Sequence, residues 1–275
     1  MDIWKNNSPL EGWQAHRRVC VPDEVGEGHN IKLSHAHSLL TLQKIPIYLQ
    51  EKLKSFAINS VTDLIEHDYL QVFAWIRDKY PSSGYKILYD LHCIISNLPL
   101  NSLDAITEKQ IRQLYKQVLP CYAPLDAITI KKYLDLAHDQ AKLAYECNEI
   151  PVGVVIVKDD RVIATGHNLS KATSLSGMHA EIKALTNACA YLKSTYLTGC
   201  DLYVTIEPCL MCSGAIINSR IKRVIFGALE AKTGAVISQY QVFKNKNVNH
   251  QTQTCGPIDT TKYSQLLRQF LKSRR

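Results

Sequence analysis

The sequence predicts a small all-α domain followed by an α/β domain that folds as a three-layer α/β/α sandwich. Two observations lead to this prediction. Residues 42–119 carry apolar side chains at helical spacing. From residue 126 to residue 275, β-branched runs alternate with helical segments, which is the pattern of a sheet covered by helices on both faces.

The boundaries of these parts follow from proline placement and from loss of periodicity. Pro120 and Pro124 enclose a short stretch, so we assign 120–125 as a linker. Residues 1–41 show no clear period and are predicted to be an irregular lead-in. The chain is therefore divided into a lead-in, the helical domain 42–119, the linker, and the α/β domain 126–275.

The helices of the front domain are predicted from apolar spacing and from signals at their ends. Pro46 suits the first turn of a helix that carries Leu49 and Leu53. Ser60 with Asp63 is a capping pair for the next helix. Proline and glycine interrupt the pattern at 80–84. Further helical segments are expected at 70–77, 87–95 and 107–119.

The α/β domain begins with a helix over 130–144 and closes with one over 260–272. Between them, runs of β-branched and apolar residues predict strands and periodic segments predict helices. The predicted strands are 154–157, 162–164, 202–206 and 224–226, and the predicted helices are 179–192 and 209–219.

Composition places the 275-residue chain among ordinary globular proteins, with 46% apolar and 21% charged residues. No run of 18 apolar residues occurs, so we expect no membrane segment. Residues 1–5 lack the basic and then apolar start of a secretory signal. Nine cysteines without such a signal indicate a reducing compartment, and we expect a cytoplasmic protein.

The net charge of +7 is concentrated at one end of the chain. Residues 1–125 hold 13 basic and 13 acidic residues, whereas residues 232–275 hold eight basic residues and one acid, Asp259. A basic region of this kind indicates a phosphate-bearing partner. A solvated surface helix with a basic tail would have the same composition.

One imidazole and two thiols stand at a spacing that suits a zinc ion. His179 lies two residues before Glu181, and Cys209 and Cys212 follow Pro208 as a Cys-x-x-Cys pair. Proline favours the first helical turn, so both sulfurs would lie at one helix start, where the positive end favours thiolates. Structural zinc sites use four protein ligands, and no fourth cysteine or histidine has suitable spacing. We therefore predict a catalytic zinc site with an open position, in preference to a redox pair or a core histidine.

Glu181 is the predicted proton shuttle. The order H-x-E and then P-C-x-x-C is the signature of zinc-dependent nucleobase deaminases. In that chemistry zinc brings the pKa of a bound water towards about 7. Glu181 would take the proton of this water and pass it to a ring nitrogen and then to the departing amine. A carbonyl group then replaces the amine.

Residues 126–275 resemble the bacterial tRNA-specific adenosine deaminases, which convert the wobble adenosine of an anticodon to inosine. The resemblance implies a cytidine-deaminase-like fold, a homodimer, one Zn²⁺ per subunit and a tRNA anticodon stem-loop as partner. It spans nearly the whole domain, and its matching stretches are 149–153, Asn168, 202–215, 219–224, 226–228, 232–234 and 249–250.

The same resemblance assigns further roles. Asn168 would hydrogen-bond the base, although an asparagine that ends a strand at a turn gives the same pattern. Val152 and Ala180 would line the base pocket, and Glu207 with Pro208 would shape its wall. The residues expected at the RNA backbone are Lys232, Arg220, Arg223, Arg274 and Arg275, and for Arg220 and Arg223 a helix-end or dimer role is equally open.

Two stretches depart from the family pattern. Residues 175–178 read Leu-Ser-Gly-Met where most members have an Asp-Pro-Thr-like sequence, so a helix-capping aspartate is lost. We expect Ser176 to replace it. Leu229 and Glu230 stand where an Arg-Asp pair is usual, which removes one cation from a loop that would face nucleic acid.

The front domain resembles the small C-terminal helical domain of TfoX-type competence regulators. The resemblance rests on Ile45-Pro46, the stretch 53–64 and Leu88-Tyr89-Asp90-Leu91. It is less specific than the deaminase motif. Because residues 1–125 carry no net charge, we expect a protein contact or a spacer in preference to nucleic-acid binding, and its partner is unknown.

Two other functions share the zinc signature. One is deamination of a free base or nucleotide of the guanine or cytosine type. The other is a non-catalytic zinc-binding regulator, which loss of Glu181 would have favoured. The polymer substrate is favoured by Lys232-Thr233-Gly234 and by the basic final helix.

Overall fold

The structure is a computed structural model that describes residues 45–118 and 122–274. These residues divide between Pro124 and Leu125 into two compact units. The predicted lead-in 1–41, the first two residues of the predicted linker and Arg275 lie outside the described residues. The four-part division of the chain stays a prediction.

In the part of the first unit that the structure describes, the regular elements are five helices. Ser60 caps its second helix by accepting from the Asp63 N–H while the Asp63 carboxylate accepts from the Ser60 N–H, which confirms the predicted capping pair. Its core is made of fully buried side chains from four helices, such as Leu49, Leu64, Phe73 and Leu91. The helices are α1 (Ile47–Lys54), α2 (Val61–Glu66), α3 (Tyr69–Lys79), α4 (Tyr85–Ile95) and α5 (Ala105–Gln117).

The second unit is a five-stranded sheet with helices on both faces, as predicted. Its strand order is β2-β1-β3-β4-β5, with β1 antiparallel to β2 and β3, and with β3, β4 and β5 parallel. The strands are β1 (Gly153–Lys158), β2 (Arg161–His167), β3 (Asp201–Ile206), β4 (Arg223–Ala228) and β5 (Gln253–Cys255). The helices are α6 (Ala127–Glu146), α7 (Ala180–Leu192), α8 (Leu210–Asn218) and α9 (Thr260–Lys272).

Each face of this sheet has its own core, because successive strand residues point to opposite sides. Val154 and Ile156 of β1 pack with α7 and α8. Their neighbours Val155 and Val157 pack with α6 and α9. The unit is therefore a three-layer α/β/α sandwich, and the loops that follow β2 and β3 lead into α7 and α8 on the same face.

The sequence-based prediction missed β5. Its three residues, Gln253, Thr254 and Cys255, pair with β4 at the edge of the sheet. They carry no apolar alternation, so the strand exists only through its partner. Within the described part of the chain, no helix is long and apolar enough to cross a membrane.

Candidate active site

The predicted metal ligands lie at the starts of two helices on one face of the sheet. His179 is the residue before α7, and Cys209 is the residue before α8, with Cys212 in the first turn of α8. Neither the His179 nor the Cys209 side chain forms a capping hydrogen bond with its helix. The imidazole and both thiols therefore remain available to a shared ligand.

The three side chains converge with the dimensions of a zinc site. His179 Nδ1 lies 3.7 Å from Cys209 Sγ and 3.5 Å from Cys212 Sγ. A tetrahedral zinc ion with usual Zn–N and Zn–S bond lengths sets its nitrogen and sulfur ligands about 3.6 Å apart. Among the described residues, no fourth histidine, cysteine or carboxylate joins this group within 4.8 Å. The donor set fits zinc and leaves one tetrahedral position open.

The two thiols are coupled through a hydrogen bond. The bond from Cys212, with further help from His179, lowers the pKa of Cys209 to about 4 in spite of its burial. The same bond, together with burial and the nearby Glu181 carboxylate, raises the pKa of Cys212. The bond to Cys209 also raises the pKa of His179. Of the two thiols, Cys209 is thus the one that is more easily held as a thiolate.

Glu181 is buried directly beside these ligands. Its side chain is in contact with Cys212, and burial raises the pKa of its carboxyl group. It lies in the first turn of α7, two residues after His179. Its carboxylate is therefore adjacent to the ligand cluster without being part of it, which is the placement that a proton shuttle requires.

Ser176 does not cap α7, so this expectation is wrong. No side chain caps the helix start at His179. Instead, the Ser176 backbone lies beside the His179 ring and adds to the effect of Cys209 in raising the pKa of that imidazole. Metal-binding imidazoles usually have such a partner, which fixes the orientation of the ring. Although residues 175–178 depart from the family pattern, their backbone still contacts the imidazole of His179.

Asn168 follows β2 and is buried, and its contact with a base stays a prediction. Its side-chain amide donates to Glu149 Oε2 at 3.0 Å. Glu149 Oε1 accepts from the N–H groups of Lys171 and Ala172, both at 2.8 Å. Glu149 thus holds the loop that contains Asn168, a role that the sequence analysis missed because only the fold brings these residues together.

Val152 contacts Asn168, and Ala180 lies at the start of the helix that packs on β2. The Val152 carbonyl accepts from the Asn168 N–H at 3.3 Å. Ala180 is buried at the first position of α7, and its carbonyl would lie only 2.3 Å from a Cβ atom on Gly166. Glycine at that position lets α7, which begins after His179, approach β2, which ends before Asn168.

Glu207 is buried at the end of β3, next to Pro208 and Cys209. All hydrogen bonds described for its carboxylate come from residues 230–238, which we call the Lys232 loop. Lys232 is exposed on this loop. The loop also pairs with the ligand segment, since the Ala235 N–H donates to the Pro208 carbonyl at 2.8 Å. Lys232 is thereby attached to the segment that carries Cys209.

The remaining predicted cations differ in their surroundings. Arg223 forms a bidentate ion pair with Asp201 at 2.7 and 2.8 Å, with both side chains 12% exposed. Its guanidinium is engaged within the sheet, and we do not include it among the proposed RNA contacts. Arg220 is exposed and stacks on Tyr196 at 3.9 Å. Arg274 stacks on Phe270 at 4.4 Å and hydrogen-bonds Asn148, which precedes Glu149.

Comparison with known proteins places the second unit in a family. Residues 127–228 match the cytidine and deoxycytidylate deaminase zinc-binding region. The tRNA-specific adenosine deaminase of Aquifex aeolicus is 41% identical over 144 residues, which are 52% of this chain and 94% of that protein. That of Haemophilus influenzae is 42% identical over 146 residues, which are 53% of this chain and 84% of that protein.

A solved structure from studies of A-to-I editing by tRNA:A34 deaminases at the wobble position of transfer RNA is 36% identical. It covers 50% of this chain and 99% of its own, with a TM-score of 0.49. The relatives match about half of this chain, and the resemblance of the front domain to TfoX-type regulators stays a prediction. With 41% identity over nearly the full length of a curated relative, and with the zinc signature assembled, the chain belongs to the family of tRNA-specific adenosine deaminases.

Proposed function

We propose that this protein hydrolyses adenosine to inosine and ammonia at the wobble position of a tRNA anticodon. The observation that carries the chemistry is the convergence of His179, Cys209 and Cys212 beside the buried Glu181. The substrate follows from the family, whose curated relatives are tRNA-specific adenosine deaminases.

His179, Cys209 and Cys212 are the proposed zinc ligands, with one Zn²⁺ per subunit. When bound, zinc activates a water molecule for attack on the carbon that carries the amine. Glu181 takes a proton from this water and delivers it to the adjacent ring nitrogen. A proton then moves through the same carboxylate to the amine, which leaves as ammonia. The Ser176 backbone keeps the imidazole in its orientation.

Asn168, Val152 and Ala180 are the proposed base contacts. An asparagine amide can both donate to and accept from the edge of an adenine, and Val152 and Ala180 offer apolar and main-chain contact. An anticodon loop presents unstacked bases, so adenosine enters the pocket at low cost in stacking energy. Pro208 forms part of the wall beside Cys209.

The proposed partner is the anticodon stem-loop, and its phosphates meet Lys232, Arg220 and Arg274. Arg275 lies outside the described residues and joins this set only by its place in the sequence. Family resemblance further supports a homodimer formed through the deaminase domain and a cytoplasmic location. The partner of the helical domain is not assigned.

Incubation with purified substrates tests the function. The zinc-loaded protein should convert the wobble adenosine of an anticodon stem-loop to inosine and should leave free adenosine, guanine and cytidine unchanged. The product is measured by mass spectrometry of digested RNA. Conversion of a free base at a higher kcat/KM than the stem-loop would instead make the protein a small-molecule deaminase.

A further inference from the structure

The Lys232 loop is attached to one buried carboxylate, that of Glu207. Glu207 Oε1 accepts from the N–H groups of Val236, Ile237 and Ser238 at 3.0, 2.7 and 2.9 Å. Glu207 Oε2 accepts from the Glu230 N–H at 3.1 Å and from the Ser238 hydroxyl group. With five donors on two oxygens, the carboxylate has little acceptor capacity left for a substrate.

The loop is shaped to fit this carboxylate. A Cβ atom on Gly234 would lie 2.4 Å from Glu207 Cδ, so only glycine allows the backbone to pass this close. Gly234 also pairs with Cys209 in an isolated antiparallel β-bridge, and the Ala235 N–H donates to the Pro208 carbonyl. The contacts of Glu207 therefore join the loop to the segment that supplies two of the proposed metal ligands.

Apolar packing holds only the C-terminal part of the loop, where Val236 is buried in the core and Ile237 packs against it. Lys232 and Thr233 at its tip are exposed, and the Lys232 N–H donates to Glu230 Oε1 at 3.0 Å. Without Glu207, three consecutive N–H groups at 236–238 would need other acceptors in a partly buried setting, which is costly. The expected response is that the loop opens towards water.

We infer that Glu207 is a positioning residue, whose buried carboxylate holds the Lys232 loop so that Lys232 is presented to RNA beside the active site. The inference rests on the proposed function for the contact between Lys232 and RNA. The attachment of the Lys232 loop to Glu207 does not depend on the substrate, and it can be measured without RNA. This role replaces the pocket wall that family resemblance assigned to Glu207.

The chain supplies a matched control. Glu149 is also a buried glutamate, and it holds a different loop, with Lys171 at its centre. Glu207→Gln and Glu149→Gln each replace one carboxylate oxygen by an NH2 group that cannot accept a hydrogen bond. A lysine-specific protease then reports on each loop separately, through cleavage after Lys232 or after Lys171.

In the full zinc-loaded chain, Glu207→Gln should raise cleavage after Lys232 by roughly tenfold and leave cleavage after Lys171 unchanged, because one or more charge-assisted hydrogen bonds are lost. Glu149→Gln should show the reverse. Ser238→Ala removes a single donor, preserves the carboxylate and should raise cleavage after Lys232 to a smaller extent. The inference would be overturned if wild type, Glu207→Gln and Ser238→Ala were all cleaved equally after Lys232. It would also be overturned if Glu207→Gln raised cleavage after Lys171 as much as cleavage after Lys232.

RNA binding provides the second measurement. Ser238→Ala and Glu207→Gln should keep full zinc content, and Glu207→Gln should weaken stem-loop affinity about as much as Lys232→Ala does. The double variant Glu207→Gln with Lys232→Ala should bind no more weakly than Glu207→Gln alone, because both changes remove the same contact. Additive losses would mean that Glu207 acts elsewhere. If wild type bound no RNA, the proposed function would fail, while the protease pattern would still decide whether Glu207 holds the loop.

Discussion

At the scale of single residues, three buried glutamates have different surroundings. Glu149 and Glu207 are surrounded by N–H donors from loops, whereas Glu181 contacts a thiol of the metal-ligand cluster. Donors supplied by a loop attach that loop to the carboxylate, whereas a carboxylate beside the metal ligands can take part in proton transfer. The surroundings therefore distinguish the two loop anchors from the proton shuttle.

Glu181→Gln should retain zinc and lose turnover. The amide keeps the shape of the side chain but cannot accept and return a proton, so kcat should fall by about 10² to 10⁴ or more. Zinc content by metal analysis and inosine formation on the stem-loop measure the two properties separately. An active variant with full zinc would remove Glu181 from the mechanism.

The substitutions Lys232→Ala and Arg223→Ala should affect different properties, namely RNA binding and stability. Lys232 is exposed, so its loss should weaken stem-loop binding and reduce the salt slope of log K by about 0.7 to 0.9. Arg223 is paired with Asp201, so its loss should reduce the free energy of unfolding by about 2–3 kcal/mol through an unpaired carboxylate. Salt titrations and urea unfolding measure these effects. A lower salt slope in the Arg223 variant at unchanged stability would restore Arg223 as an RNA contact.

At the scale of elements, a charged contact joins α6 to α9. The Asp135 carboxylate of α6 accepts from Lys262 and from the Tyr263 hydroxyl group, the latter at 2.9 Å. Although partial burial acts to raise the pKa of Asp135, bonds from Lys131, Lys262 and Tyr263 outweigh it and lower the pKa below its usual 3.8. The pair thus favours the ionised carboxylate in the folded state.

Asp135→Asn should lower stability at neutral pH by about 1 kcal/mol or less, since the site is partly exposed and screened by solvent. A lowered folded-state pKa gives stability that is present above the unfolded value of about 3.8 and is lost as pH falls through the folded value. The Tm difference between wild type and variant should therefore stay constant from pH 7 to about pH 5 and narrow below about pH 4. A difference that grew on acidification would contradict the assigned contact.

The elements also show what the sequence could predict. Helices and buried strands carry their own periodicity, and the ligand spacing fixes the metal site, so both were predictable. Three-residue β5 was not, because its pairing with β4 depends on tertiary structure. The roles of Glu149 and Glu207 were missed for the same reason: their donors lie 19 to 31 residues away and have no sequence pattern. The prediction that Ser176 caps α7 was wrong, because the residue at the start of that helix is His179 and no side chain caps it.

At the scale of the whole molecule, the residues described for the sheet cores and for the proposed active site all belong to the deaminase unit. Both cores of the sheet are built from residues after Leu125 or from Leu125 itself. The first helix, α6, is capped from within the unit, since Asp126 accepts from the Thr129 N–H at 2.8 Å. Two of the curated relatives match 52% of this chain and 94% of their own length.

Removal of the residues before Pro124 should leave a folded, zinc-loaded deaminase. Because both cores and all proposed ligands are retained, Tm of this unit should change by less than about 5 °C. The rate of inosine formation on the stem-loop should stay within about threefold, which corresponds to less than about 1 kcal/mol in the barrier. Calorimetry and the inosine assay measure both. A folded fragment with much lower activity would assign the front half a part in catalysis or RNA binding.

The cap on α6 has a consequence for how this chain can change over time. Because Asp126 completes the first turn of that helix from the C-terminal side of the join, the cap is kept whatever segment precedes Pro124. Insertion, loss or exchange of a front segment therefore leaves the start of the catalytic unit intact. The front half can acquire new partners at its own pace, while the catalytic half stays under the separate constraint of its tRNA.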